Sequence, residues 1–146
     1  MQTEPVNCST IAAPPLAVPL MHLLAENHDA LRLATSSETL LNATMEGFAV
    51  RYESDGLAAE VVFRLKHSKH VNRLLLRFKP VTGYALAYSQ EVGFYHVESF
   101  KFLRVGNDYY LSLDPVDESG QADERDNDTI WAGGVRAYHL PESESN

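Results

Sequence analysis

At 146 residues and 16.3 kDa the chain has the length of a single domain, able to bury a core but too short for a two-domain enzyme. Hydrophobic residues at 45% and charged residues at 22% exclude wholesale disorder, collagen-like repeats and coiled coil. A formal charge of -8 argues against a general nucleic-acid binder and fits an acidic cytoplasmic protein.

Residues 1–15 combine Pro, Thr, Ser and Asn with few large apolar groups and read as a flexible arm, and residues 142–146 as a frayed end. A single globular domain is expected between them, over 16–141. Cys8 is the one cysteine, so no intrachain disulfide can form and a reducing compartment is expected. The uncharged stretch 5–25 is broken by Pro5, Pro14, Pro15 and Pro19 and has no basic lead, which excludes a signal-peptide or membrane reading; the Asn-x-Ser/Thr sequons at Asn7, Asn42 and Asn127 are then chance.

Leu20, Leu23, Leu24 and Leu31 recur at helical spacing, and Thr35-Ser36-Ser37-Glu38 reads as a capping box opening a turn through Leu41, so a short helical N-terminal segment is expected. All six Phe, all seven Tyr and the Trp lie between Phe48 and Tyr138, which places the start of the β core near residue 46. Phe48, Val50 and Tyr52 alternate with polar or small residues, Asp55-Gly56 offers a tight turn, and Leu57 to Leu65 alternate again: a hairpin. Leu74, Leu76 and Phe78, then a break at Pro80 and Gly83, then Tyr84, Leu86 and Tyr88 read as a second hairpin. Tyr95 to Val105 reads as one strand with an irregularity at Glu98-Ser99, returning through Gly106-Asn107-Asp108 to Tyr109–Leu113. A long solvated acidic loop follows over 114–128. Ile130 to Leu140 closes as one strand in which Gly133-Gly134 marks a bulge or a close backbone approach. Seven or eight strands without helical crossovers predict a mainly β chain, an antiparallel β-sandwich or small barrel.

Charge is segregated along the chain. Residues 1–60 carry net -6, residues 61–110 net +5 and residues 111–146 net -7. The basic patch is densest at Lys66, His67, Lys69, His70 and Arg73 and continues to Arg77 and Lys79. Nucleic-acid binding through 64–79 is its functional version. No aromatic residues interleave with these cations to stack on bases, so a solvated face compensated by the acidic loop 117–128 is expected instead.

Catalytic and metal-binding patterns fail on their contexts. His67 and His70 lie three apart on a turn or strand, with no neighbouring ligand to complete a metal site. No serine sits in a nucleophile elbow, and Cys8 lies in the arm. Asp126-Asn127-Asp128-Thr129 lacks the apolar strand that an aspartate-nucleophile phosphatase needs before it, and no EF-type calcium loop can be laid over it. No metal and no cofactor are therefore expected, and a non-enzymatic protein is favoured over an enzyme with an aromatic- and His-lined cavity.

Two binding patterns remain. Tyr84, Tyr88, Tyr95, His96 and Trp131 could line a small-ligand cavity. Tyr109 and Tyr110 must point to opposite sheet faces, so one of the two reaches the outer face; Tyr110 joins Asp117, Glu118, Asp123, Glu124, Asp126 and Asp128 as a candidate protein-interaction surface. Long strands also raise the expectation of a homodimer through a sheet edge.

The stretches Leu74-Leu75-Leu76-Arg77-Phe78-Lys79-Pro80-Val81-Thr82-Gly83-Tyr84, Tyr109-Tyr110-Leu111-Ser112-Leu113-Asp114-Pro115 and Ile130-Trp131-Ala132-Gly133-Gly134-Val135-Arg136-Ala137-Tyr138 carry a resemblance over about residues 71–140. There the chain resembles small bacterial all-β proteins, some of which are encoded beside toxins as immunity factors. That resemblance implies a β-sandwich and brings no functional residues with it. Together with the acidic charge, it makes a non-enzymatic module that binds and neutralises a basic partner such as a toxin the leading expectation.

Overall fold

A computed structural model describes residues 21–68, 70–86 and 95–141. The expected arm over 1–15, the frayed residues 142–146, Lys69 and Tyr88 lie outside the described residues. Ten strands and one helix follow in the order β1 (His22–Glu26), α1 (Asn27–Ala34), β2 (Thr44–Glu53), β3 (Gly56–Arg64), β4 (Arg73–Phe78), β5 (Val81–Ala85), β6 (Tyr95–His96), β7 (Lys101–Val105), β8 (Asp108–Asp114), β9 (Asn127–Ala132) and β10 (Val135–His139).

The strands form two open antiparallel sheets rather than a closed barrel: six strands in the order β1-β10-β4-β3-β2-β6 and four in the order β5-β9-β8-β7. Alternation decides which side chains go inward. On the larger sheet Val61, Phe63, Leu74, Leu76 and Phe78 are fully buried; on the smaller, Leu111, Ile130 and Ala132 face them. The two inner faces, with Ala30 and Ala34 of α1, make one core.

The hairpin over 48–65 forms as β2 and β3, with Glu53 opposite Gly56. The Gly106-Asn107 turn joins β7 to β8, Gly106 taking φ 64°. The other expected connections turn out differently. Residues 22–26, expected to be helical, form edge strand β1, so helix is confined to 27–34. Thr35 closes that helix instead of opening another: its amide and hydroxyl both donate to carbonyls of the last turn.

β4 and β5 are not a hairpin, because they belong to different sheets. The single strands expected over 95–105 and 130–140 likewise each divide into two, β6 with β7 and β9 with β10, one in each sheet. Two of the three corners meet in space. The Lys79 amide donates to the Gly134 carbonyl and the Gly133 amide to the Pro80 carbonyl. A Cβ on Gly134 would sit 3.0 Å from the Lys79 carbonyl oxygen and 3.2 Å from Asn27 Oδ1, so a close backbone approach is what this glycine serves. Asn27, itself at φ 52°, accepts the Val135 amide on that same Oδ1.

Candidate functional site

The acidic segment after β8 is not a free solvated loop. It folds back over the outer face of the four-stranded sheet and is fastened there by Asp126, whose side chain is fully buried. Tyr109 points into the core. Tyr110, opposite in the alternation, reaches that outer face, lies against Trp131 at 4.5 Å between ring centroids and donates its hydroxyl to Asp126 Oδ2 at 2.6 Å. Lys101 projects from β7 onto the same carboxylate, 3.1 Å from each oxygen, and also meets the Gln121 carbonyl at 2.7 Å and Asp117 at 2.9 Å. The amides of Val116 and Asp123 complete the shell of Asp126 at 2.8 and 3.1 Å.

Burial by itself would push the Asp126 carboxyl up. The Tyr110 hydroxyl, the Val116 amide, Lys101 and the Asp123 amide outweigh it, and the group is held below the usual carboxylate range. Burial would likewise push Lys101 down, and its two carboxylate partners hold it above the ordinary lysine value. The Tyr110 phenol is pushed up by desolvation first and by Asp126 second. At neutral pH the cluster is therefore a buried ion pair with satisfied donors, which is the condition under which such a pair is tolerated.

With Asp126 turned inward, Asp114, Glu118 and Glu124 remain exposed on the outside, and Asp117 stays partly exposed over Lys101. Asp123 accepts two hydrogen bonds of 3.0 and 2.8 Å from the Arg125 guanidinium and one of 2.8 Å from the Arg125 amide, which hold its carboxyl far below its ordinary value. Asp128 accepts the Tyr95 hydroxyl, which joins the loop's end to β6; desolvation first and Asp128 second push that phenol up.

Of the interaction residues expected from sequence, Tyr110 and Asp126 are thus buried fasteners rather than surface, because the loop covers the sheet face to which the alternation sends them. Lys101, decisive here, was missed. A lone lysine inside the aromatic run Phe100-Lys101-Phe102 was the available signal.

Arg64, Arg73, Arg77 and Lys79 of the basic stretch are compensated locally and not by the acidic loop. Register places Glu60 opposite Arg77 and Arg73 opposite Arg64 across β3 and β4. Arg64 and Arg73 share Glu46 at 2.8 and 2.9 Å; Arg77 meets Glu60 at 2.6 Å and Glu53; Lys79 meets Glu53 at 2.6 Å and Asp55. Arg77 and Lys79 push the Glu53 carboxyl down to about 2. Lys66, His67 and His70 are exposed on the β3–β4 turn, where His67 lies 3.0 Å from Asn42 Oδ1 and the Ser68 hydroxyl donates to the buried Glu38. A polar cavity of ≈ 400 Å³ beside Arg77, Lys79 and Arg136 is also lined by Glu26 and Asp55, which pair with two of those cations.

The expected aromatic cavity does not assemble from the described residues. Trp131 lies on the outer face of the four-stranded sheet against Tyr110. Tyr84, at the β5 edge, meets Phe48, with 48% of its surface exposed. Tyr95 reaches Asp128, and His96 is exposed on β6. Tyr95 and His96 lie on β6 of the six-stranded sheet, whereas Tyr84 and Trp131 lie on β5 and β9 of the four-stranded one.

Among the described residues no group of three or more His, Cys, Asp or Glu is placed to hold a metal ion, and no helix is long and apolar enough to cross a membrane. Comparison with protein-family models, curated proteins and solved structures found no match.

Proposed function

We propose that this protein is a non-catalytic binding module that presents its fixed acidic loop, residues 114–128, to a basic protein partner. A toxin held inactive by an immunity-type protein is one instance of such a partner. The observation that carries this reading is the buried Asp126–Lys101–Tyr110 cluster, which fastens the loop with Asp114, Glu118 and Glu124 directed outward. A surface ordered before encounter loses little entropy on binding, and concentrated like charge speeds association with an oppositely charged protein. On the opposite side of the sandwich Arg64, Arg73, Arg77 and Lys79 end on carboxylates of β2, β3 and the turn between them.

The test is isolation of the tagged protein at low salt from the cells that make it, with native mass spectrometry. A Glu118→Lys/Glu124→Lys variant and an Arg136→Glu variant of the far side are run beside it. A partner with a pI above about 9 should be retained by the wild type and by Arg136→Glu, and released by salt and by the loop variant. Equal retention by the loop variant, a partner that is not basic, or a bare protein at every salt concentration would overturn the proposal.

A further inference from the structure

The strands at the sheet edges are not alike. Among the described residues β1 and β5 carry register irregularities against their neighbours and β6 has two residues, all features that blunt an edge against further pairing. β7 has neither: it pairs with β8 in unbroken register from Lys101 opposite Ser112 to Val105 opposite Asp108. No backbone hydrogen bond among the described residues joins its other side to another element. By strand geometry, alternate N–H and C=O groups of β7 therefore point away from the sheet, with no backbone partner among the described residues.

Two clefts lie along that side and share Phe102, Leu103 and Gly120. One, of ≈ 390 Å³, is bounded by Leu41, Phe100 and Pro115; the other, of ≈ 500 Å³, by Leu31, Val105 and Ala122. Helix α1 contributes one wall and the fastened acidic loop the other. The ends differ in charge, with Glu118 at the Phe100 end and His28 with Arg104 at the Val105 end.

We infer that this groove takes an extended segment of the basic partner by strand addition to β7, an inference that rests on the acidic-loop reading above. Main-chain hydrogen bonds to the β7 edge would hold the segment, and the two clefts would take apolar side chains at every second position. Five residues of edge span about 17 Å, so about five residues of the partner are engaged. Glu118 favours a basic residue at its own end of the segment, whereas Arg104 and His28 disfavour one at the other.

The test titrates the full chain with hexapeptides carrying Val, Leu or Phe at every second position and one Lys at either end, followed by amide NMR. Matched peptides N-methylated at alternate amides are the control. Saturable binding should move the amides of Phe102–Val105 and Gly120, weaken by about fivefold per blocked amide, and weaken again in Leu103→Glu. Absence of saturable binding across the set, shifts located elsewhere, or indifference to N-methylation would overturn strand addition. Shifts of β7 that depend on protein concentration without peptide would give the edge to a second copy, and would also overturn it. The two readings fail separately. Loss of the basic partner in Glu118→Lys/Glu124→Lys, with peptides that ignore β7, leaves the loop reading and removes the groove. Peptides that bind β7 equally well without lysine keep strand addition and remove the preference for a basic partner.

Discussion

Replacing Asp126 by alanine should be among the most destabilising single changes outside the apolar core. The carboxylate receives the Tyr110 hydroxyl, the Val116 and Asp123 amides and the Lys101 ammonium, and its side chain is fully buried. Removing it strands a buried cation that keeps Asp117 alone as its charged partner, and leaves three donors to find water beneath the loop. Breaking one side of a buried ion pair costs about 3–5 kcal/mol. At about 2–4 °C per kcal/mol for a chain of this size, the melting midpoint should fall by roughly 6–20 °C. The assay is thermal unfolding by circular dichroism beside Glu124→Ala, which alters an exposed carboxylate of the same loop and should leave the midpoint unchanged. Equal melting of Asp126→Ala and Glu124→Ala would refute the fastened loop.

Further outcomes follow from other parts of the fold. Gly134→Ala should cost about 1–3 kcal/mol in denaturant unfolding, since the new Cβ meets backbone at Lys79 that cannot swing away. Phe78→Ala, at a fully buried side chain packed on Phe102, should cost about 3–5 kcal/mol in the same assay, and a smaller loss would mean that the core collapses into the space. Stability measured against pH should fall below about pH 5 and above about pH 9. On the acid side, Glu53 and Asp126 have folded-state values below their unfolded ones, so the stability they contribute is present above the unfolded value and is lost as pH falls through the folded one. On the alkaline side, Lys101, Tyr95 and Tyr110 have raised values, so their contribution is present below the unfolded value and is lost as pH rises. An acid limb that begins near neutrality would contradict these assignments.

The strand content was legible because alternation is a local property. β2, β3, β7 and β8 fall where Phe48–Tyr52, Leu57–Phe63 and the Gly106 turn put them. Sheet membership was not legible, and the same cause acts at three places. At Pro80, at residues 97–100 and at Gly133-Gly134 the chain passes from one sheet to the other. Both inner faces look onto one core, so the apolar period of two resumes after each corner and reads as one strand or one hairpin. The stretch 22–26 fails differently: Leu23 and Leu24 are both exposed on an edge strand, so their spacing carried no signal of a buried helix face. At the candidate site the acidic loop and its length were plain, but nothing in Asp123, Asp126 or Asp128 as residues marks the one that is buried. That choice depends on Lys101 and Tyr110 reaching the same point from β7 and β8, a contact between positions distant in sequence.

Hydrogen exchange of the free protein tests most directly whether the loop is a fixed acidic surface rather than a mobile one. The amides of Val116 and Asp123, both donating to Asp126, should be protected at neutral pH and lose that protection in Asp126→Ala, while the exposed amide of Glu124 exchanges freely in both. Free exchange at Val116 and Asp123 in the wild type would mean that the loop is mobile and not fastened.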